Sequence, residues 1–291
     1  PIPAPGKATG ISGIGWRTWA ASRWALSTIP TRPPGPTVKP SLNLLLEDAA
    51  VPLVNSFDYR RLDDFYNELA GELAAMRRDG ALATVVYIHW GNEYRTTPNK
   101  QQRAIAQKLC DLGVDVIIGG HPHVVQPLEI LTAPDGGRTV CLYSMGNAVS
   151  NQRIYRASIK TGHTEDGVLF SVTFRRTGDG PVQISGVDVL PTWVNLYRDG
   201  DRDVFQIVPL DTAKDWRTAF DLDRPAAGPA DTGNDGPANA ENSYERTMAL
   251  VRDGLEAFRS AFPAAGWSRV RPWRPVPCGR PGRSWPFRRS R

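Results

Sequence analysis

Residues 84–123 read TVVYIHWGNEYRTTPNKQQRAIAQKLCDLGVDVIIGGHPH. Thr84 to His89 is an apolar run of strand length, of the kind buried on both faces in a parallel sheet. Pro98 stands where a second helix begins, a position at which its missing N–H costs little. That helix is expected to reach about Leu112 and to bury Ile105, Leu109 and Leu112, with Gly113 ending it. Val114 to Gly119 is the next apolar strand. A strand, a helix and a strand in this order predict two parallel strands joined by a right-handed crossover.

Outward from this unit the pattern continues. Arg61 to Arg78 predicts an amphipathic helix, with Leu62, Phe65, Leu69, Leu73 and Met76 three and four residues apart and Asp79-Gly80 as its stop. Val51 to Asn55 fits a short strand ahead of it. Downstream, Thr139–Met145, Val168–Arg175, Gln183–Leu190 and Val204–Leu210 are short strand candidates between Gly, Asp and Pro turns, which points to an antiparallel sheet or edge. Ser243 to Phe262 predicts a helix with Met248, Val251, Leu255, Phe258 and Phe262 in one packing stripe. The expected organisation is an aberrant or disordered basic segment over 1–40, an α/β domain over 41–220, a linker over 221–242, a helix over 243–262 and an Arg/Pro-rich disordered tail over 263–291.

Charge separates the ends from the middle. The chain is +5 overall, yet residues 1–40 hold five Lys or Arg and residues 267–291 hold eight Arg, with no acid in either. With 13 of the 35 basic residues in the ends, residues 41–266 carry 22 basic against 30 acidic side chains. An acidic body argues against a nucleic-acid binder, since that function needs lysines and arginines opposite phosphates. The ends also hold six of the nine tryptophans and lack any period, so they are expected to be out-of-frame translation joined to a genuine middle. Three scattered cysteines imply no disulfide framework. No run approaches the roughly 20 apolar residues that span a bilayer, and no signal peptide is visible.

The chemistry-bearing residues follow strands. They are His89-Trp90-Gly91-Asn92-Glu93, Gly119-Gly120-His121-Pro122-His123 and Tyr143-Ser144-Met145-Gly146-Asn147. Ligands of open α/β sheets collect at the C-terminal strand ends, and three of the four histidines fall at two of them. In an extended segment His121 and His123 would point the same way and share one metal or serve two adjacent ones, with His89 arriving from the neighbouring strand. Imidazole suits Zn, Fe, Ni or Mn. Three histidines fit a mononuclear site, whereas a dinuclear site needs a bridging carboxylate and further ligands. Glu93 is either a group that orients an imidazole or a surface carboxylate, and Asn147 reads as a turn residue beside Gly146. His163 reads as a structural loop residue.

The ordered set HWGNE, GVDVIIGGHPHVVQPLE, LYSMGNAVSNQR, PTWV and FQIVPL, from His89 to Leu210, resembles the C-terminal part of CapA-type poly-γ-glutamate capsule proteins of the metallophosphoesterase-like superfamily. The resemblance implies a two-sheet α/β sandwich with flanking helices. It implies metal-ligand roles for His89, His121 and His123, and a divalent cofactor, two of Mn, Fe or Zn in an intact parent. The superfamily's early Asp-x-His, Gly-Asp and Asn-His ligands have no counterpart before His89, so the N-terminal half of the domain is expected to be missing, the product poorly stable and its catalysis impaired. The implied function is capsule biosynthesis at the cell envelope, with an anionic γ-glutamyl polymer or its synthesis machinery as partner and membrane association only through an N-terminal anchor that this chain lacks. The alternative is a non-catalytic envelope subunit that binds polymer or assists assembly.

Overall fold

The computed structural model describes residues 57–155, 161–176, 178–225, 227 and 236–262. The segments 1–40 and 263–291 and the strand expected at Val51–Asn55 lie outside the described residues.

Two sheets share one core. The first contains β1 (Val85–His89), β2 (Val116–Gly120), β3 (Leu128–Thr132) and β4 (Arg138–Leu142) in the order β1-β2-β4-β3. β1 and β4 run parallel to β2, and β3 closes the far side antiparallel to β4. The second is an antiparallel sheet of β5 (Asp166–Arg176), β6 (Val182–Asp199) and β7 (Arg202–Pro209). Helices α1 (Leu62–Arg78) and α2 (Lys100–Asp111) cover one face of the first sheet. A short α3 (Trp216–Phe220) and a long α4 (Gly236–Ala261) follow the second sheet.

Alternation along the strands builds this layering. Ile117 and Cys141 face Phe65, Leu69 and Leu73 of α1 and Ile105, Ala106 and Leu109 of α2. Their neighbours Val116, Val140 and Leu142 face the opposite way, onto Val168, Val187 and Val189 of the second sheet and Val251, Leu255 and Phe258 of α4. Leu69 is fully buried, so Leu69→Ala would cost about 2–5 kcal/mol. α4 can lie against β3 because residue 254 is glycine, where a Cβ would stand 1.9 Å from the carbonyl oxygen of Leu128. No helix among the described residues is long and apolar enough to cross a membrane.

Several expectations change. β1 is not buried on both faces: Val86 and Ile88 are, but Val85 and Tyr87 are 44% and 42% exposed, because β1 is an edge of its sheet. Pro98 is not the first helical residue. Asn99 is the N-cap, accepting from the Gln102 backbone N–H while the Gln102 side chain returns a bond to Asn99, a reciprocal capping box. β3 is a strand that the periodicity did not single out. β6 does not stop at Leu190 but runs through Pro191. The Pro191 carbonyl accepts from Leu210 N–H, so its missing N–H falls on the same side, where β7 has already ended at Pro209. The linker expected over 221–242 is shortened, because Gly236–Asn242 belong to α4; Pro237 is tolerated in a first turn, and Ala240 is buried against Trp193 and Leu222.

Candidate metal centre

The parallel pairing of β1 with β2 places His89 directly beside Gly120. His121 is the next residue, so the imidazoles of His89 and His121 lie with centroids 4.6 Å apart. Trp90 locks this corner. It is fully buried, its backbone N–H donates to Gly120 O at 3.1 Å, and its indole N–H donates to Tyr143 O at 2.9 Å. The approach needs Gly119, where a Cβ would meet Tyr143 O at 1.8 Å.

The His-Pro-His segment is bent rather than extended. His121 has φ +96° and His123 φ +59°, both in the left-handed region that side chains disfavour. Such residues cost about 1–3 kcal/mol each and gather at functional sites. The bend is held from outside, since Tyr94 N–H donates to Pro122 O at 2.7 Å. Alternation along a strand therefore does not bring the two rings together; the turn does, with centroids 6.1 Å apart.

Glu93 reaches into this turn. One ligand atom each of Glu93, His121 and His123 lie within 4.8 Å of one another. The Glu93 carboxylate is 3.8 Å from His123 Nε2. Asn147 settles which nitrogen of His123 is free. Its Nδ2 faces three acceptors: His123 O at 3.1 Å, Gln152 Oε1 at 3.1 Å and Thr164 O at 2.9 Å. That orientation turns Asn147 Oδ1 to His123 Nδ1 at 3.0 Å. An amide oxygen only accepts, so Nδ1 carries the proton and Nε2 presents its lone pair toward Glu93.

Burial keeps the other two rings in their neutral, ligating form. His89 is pushed down to about 4 by desolvation, then by His121 and His123. Desolvation also lowers His121, against the opposing pull of Glu93. Two histidines and a carboxylate supply the donor types of a divalent transition-metal site, and the His123 tautomer leaves the correct nitrogen open. In tetrahedral coordination the ligand atoms would stand roughly 3.4 Å apart. The exposed Glu93 side chain can close the remaining gap. His89 stands behind His121, outside the three-ligand group.

Thus His89, His121, His123, Glu93 and Asn147 meet at one corner, while His163 is outside the three-ligand group, 3.9 Å from Asp166. Tyr94, Gln152 and Thr164 also belong to the corner; Gln152 lies within the segment LYSMGNAVSNQR, but no motif or spacing marks Tyr94 or Thr164. A cleft of about 440 Å³ between α3 and α4, lined by Lys214, Trp216, Arg217 and Tyr244, contains none of these histidines.

Residues 27–152 match the family model described as Bacterial capsule synthesis protein PGA_cap. The chain is 36% identical over 105 residues to the PGA biosynthesis protein CapA of Bacillus subtilis, covering 36% of this chain and 24% of that protein. It is 30% identical over 141 residues to the capsule biosynthesis protein CapA of Bacillus anthracis, covering 47% and 31%. A probable polyglutamine synthesis accessory protein of Mycobacterium tuberculosis is 32% identical over 90 residues, covering 30% and 22%. The matched part thus spans between about a fifth and a third of the length of these relatives. Over residues 27–152, the segment that carries the histidine corner, the chain is thus similar to the bacterial capsule synthesis proteins of the PGA_cap family.

Proposed function

We propose that this chain supplies a metal-holding corner to a CapA-type protein of poly-γ-glutamate capsule biosynthesis. The observation that carries this reading is the convergence of Glu93, His121 and His123, with the His123 tautomer set by Asn147. These three would hold one divalent ion, and His89 would back His121 or join when a second ion is present. A bound ion there would act as a Lewis acid toward a phosphoryl or carbonyl oxygen. The chain's own contribution is binding and orientation. Burial keeps His121 a neutral donor, Asn147 turns the His123 ring, Glu93 supplies a carboxylate, and buried Trp90 fixes the loop between them. The second ion of a two-metal centre and its bridging carboxylate need ligands beyond the group found among the described residues. Catalysis by this chain alone is therefore not expected. The relatives' names, a PGA biosynthesis protein and a capsule biosynthesis protein, support an association with that synthesis machinery, and we assign the protein to the cell envelope on that basis.

The test is metal content and affinity. Purified chain dialysed against Zn, Mn or Fe should retain about one ion, measured by elemental analysis. His121→Ala with His123→Ala should retain none. Equal retention by both proteins would overturn the reading.

A further inference from the structure

Gln152 closes a ring of side chains around His123. Its Oε1 accepts from Asn147 Nδ2 at 3.1 Å, and its Nε2 donates to the Tyr94 hydroxyl at 3.2 Å. The Tyr94 ring stacks beside the His123 imidazole, centroids 5.9 Å apart and planes 27° apart. His123, Asn147, Gln152 and Tyr94 therefore form a closed cycle. Each amide in it has one orientation, because each has a donor end and an acceptor end already committed.

Gln152 is itself tethered on every side. Its backbone N–H donates to Ser150 Oγ at 2.9 Å, and its carbonyl accepts from the Thr164 hydroxyl. The next residue, Arg153, is buried and ion-paired with buried Glu165 at 3.0 Å. Glu165 also accepts from Ile154 N–H at 3.0 Å and Trp193 Nε1 at 3.2 Å. This fixed structure stands behind one half-buried glutamine. It is explained if the amide has to face one way.

We propose that Gln152 is a positioning residue for the metal corner: it holds the Asn147 carboxamide with its oxygen toward His123 and so keeps the His123 Nε2 lone pair aimed at the ion. This rests on the metal reading above. Without Gln152, Asn147 loses one of three acceptors for Nδ2 and is held by the His123 and Thr164 carbonyls alone, which weakens the preference of His123 for a proton on Nδ1. The Nε2–H form cannot ligate through Nε2.

The experiment uses the full chain without metal and reads the His123 tautomer by long-range proton–nitrogen NMR at a pH where the ring is neutral. The native protein is expected to show the proton on Nδ1 alone. Gln152→Leu should show a mixture of tautomers, and zinc affinity, measured by competition with a chromophoric chelator, should fall about 10- to 100-fold, the range for groups that orient a ligand. Gln152→Glu keeps an acceptor for Asn147 and for the Tyr94 O–H, and should restore both readouts. If Gln152→Leu fails to fold, Gln152→Asn, one methylene too short to bridge Asn147 and Tyr94, takes its place with the same expectation. An unchanged Nδ1–H tautomer in Gln152→Leu or Gln152→Asn overturns the proposal. Tautomers that shift as expected in a chain that binds no zinc would support the positioning role and overturn the metal reading instead.

Discussion

Asn147 and Arg153 are six residues apart on one loop, and they belong to opposite kinds of polar cluster. Around Arg153 the charged groups are buried and paired, although its Nε has no hydrogen-bond partner. Its side chain and that of Glu165 are 3% and 6% exposed, and both carboxylate oxygens of Glu165 have N–H donors. A second closed cluster lies beside it, where buried Asp166 accepts from Ser243 and from two nitrogens of Arg246. Around Asn147 the arrangement is open. The side chains of His123 and Glu93 are 33% and 50% exposed, and a nitrogen lone pair and a carboxylate face each other at 3.8 Å with no proton between them in the neutral state. The closed clusters hold elements together, whereas the open one leaves donor atoms facing one another at the surface. Partner count and backbone strain, more than the presence of charged residues, tell the two apart.

The largest effect is expected at the buried ion pair. Arg153→Met leaves Glu165 buried with its main partner gone, and should cost about 3–5 kcal/mol in denaturant unfolding. A loss under about 1 kcal/mol would mean that the cluster is not a structural tie. At the open end, pH should act through His89. Unfolded His89 takes up a proton near its ordinary 6.5, whereas the folded residue does so only near 4. The unfolded state therefore binds more protons between those values, and stability should fall as pH drops through that window, level above and below it. Discounted for partial exposure, the loss is about 2–3 kcal/mol. His89→Asn should flatten that slope, and an unchanged slope would sink the assignment.

A smaller effect of opposite sign sharpens the contrast. His121→Gly relieves a φ of +96° while adding unfolded-state freedom, so it should raise stability by about 1 kcal/mol as it abolishes metal retention. Destabilisation would show that His121 is a structural residue after all. Last, Asn99→Ala removes the α2 cap and should cost about 1 kcal/mol without changing zinc affinity. Loss of affinity there would mean that α2 reaches the corner through the Asn99–Asn92 bond.

The parallel pair β1–β2 was legible because an apolar run, an amphipathic helix and a second apolar run leave few topologies. The three histidines were legible because they stand at strand ends. The bend at His121-Pro122-His123 was not, because it is imposed by a bond from Tyr94 to Pro122 across a loop. Glu93 could be read only as one of two things until that bend brought His121 and His123 to it. The length of β6 was hidden by Pro191, whose tolerance depends on where a different strand ends. Gln152 falls within the segment LYSMGNAVSNQR, but its role there is not legible, since its partners lie 5 and 58 residues away.

Gly254 has a consequence for how the chain is made. It seats α4 on the carbonyl of Leu128, so a strand near the middle of the chain waits for a helix more than 100 residues later. At roughly 5–20 residues per second of synthesis, that interval is on the order of ten seconds. Throughout it Val140, Leu142 and Leu128 lack the residues of α4 that finally cover them. A nascent chain stalled before residue 236 should be an avid chaperone client, and release of the last helix should end that dependence.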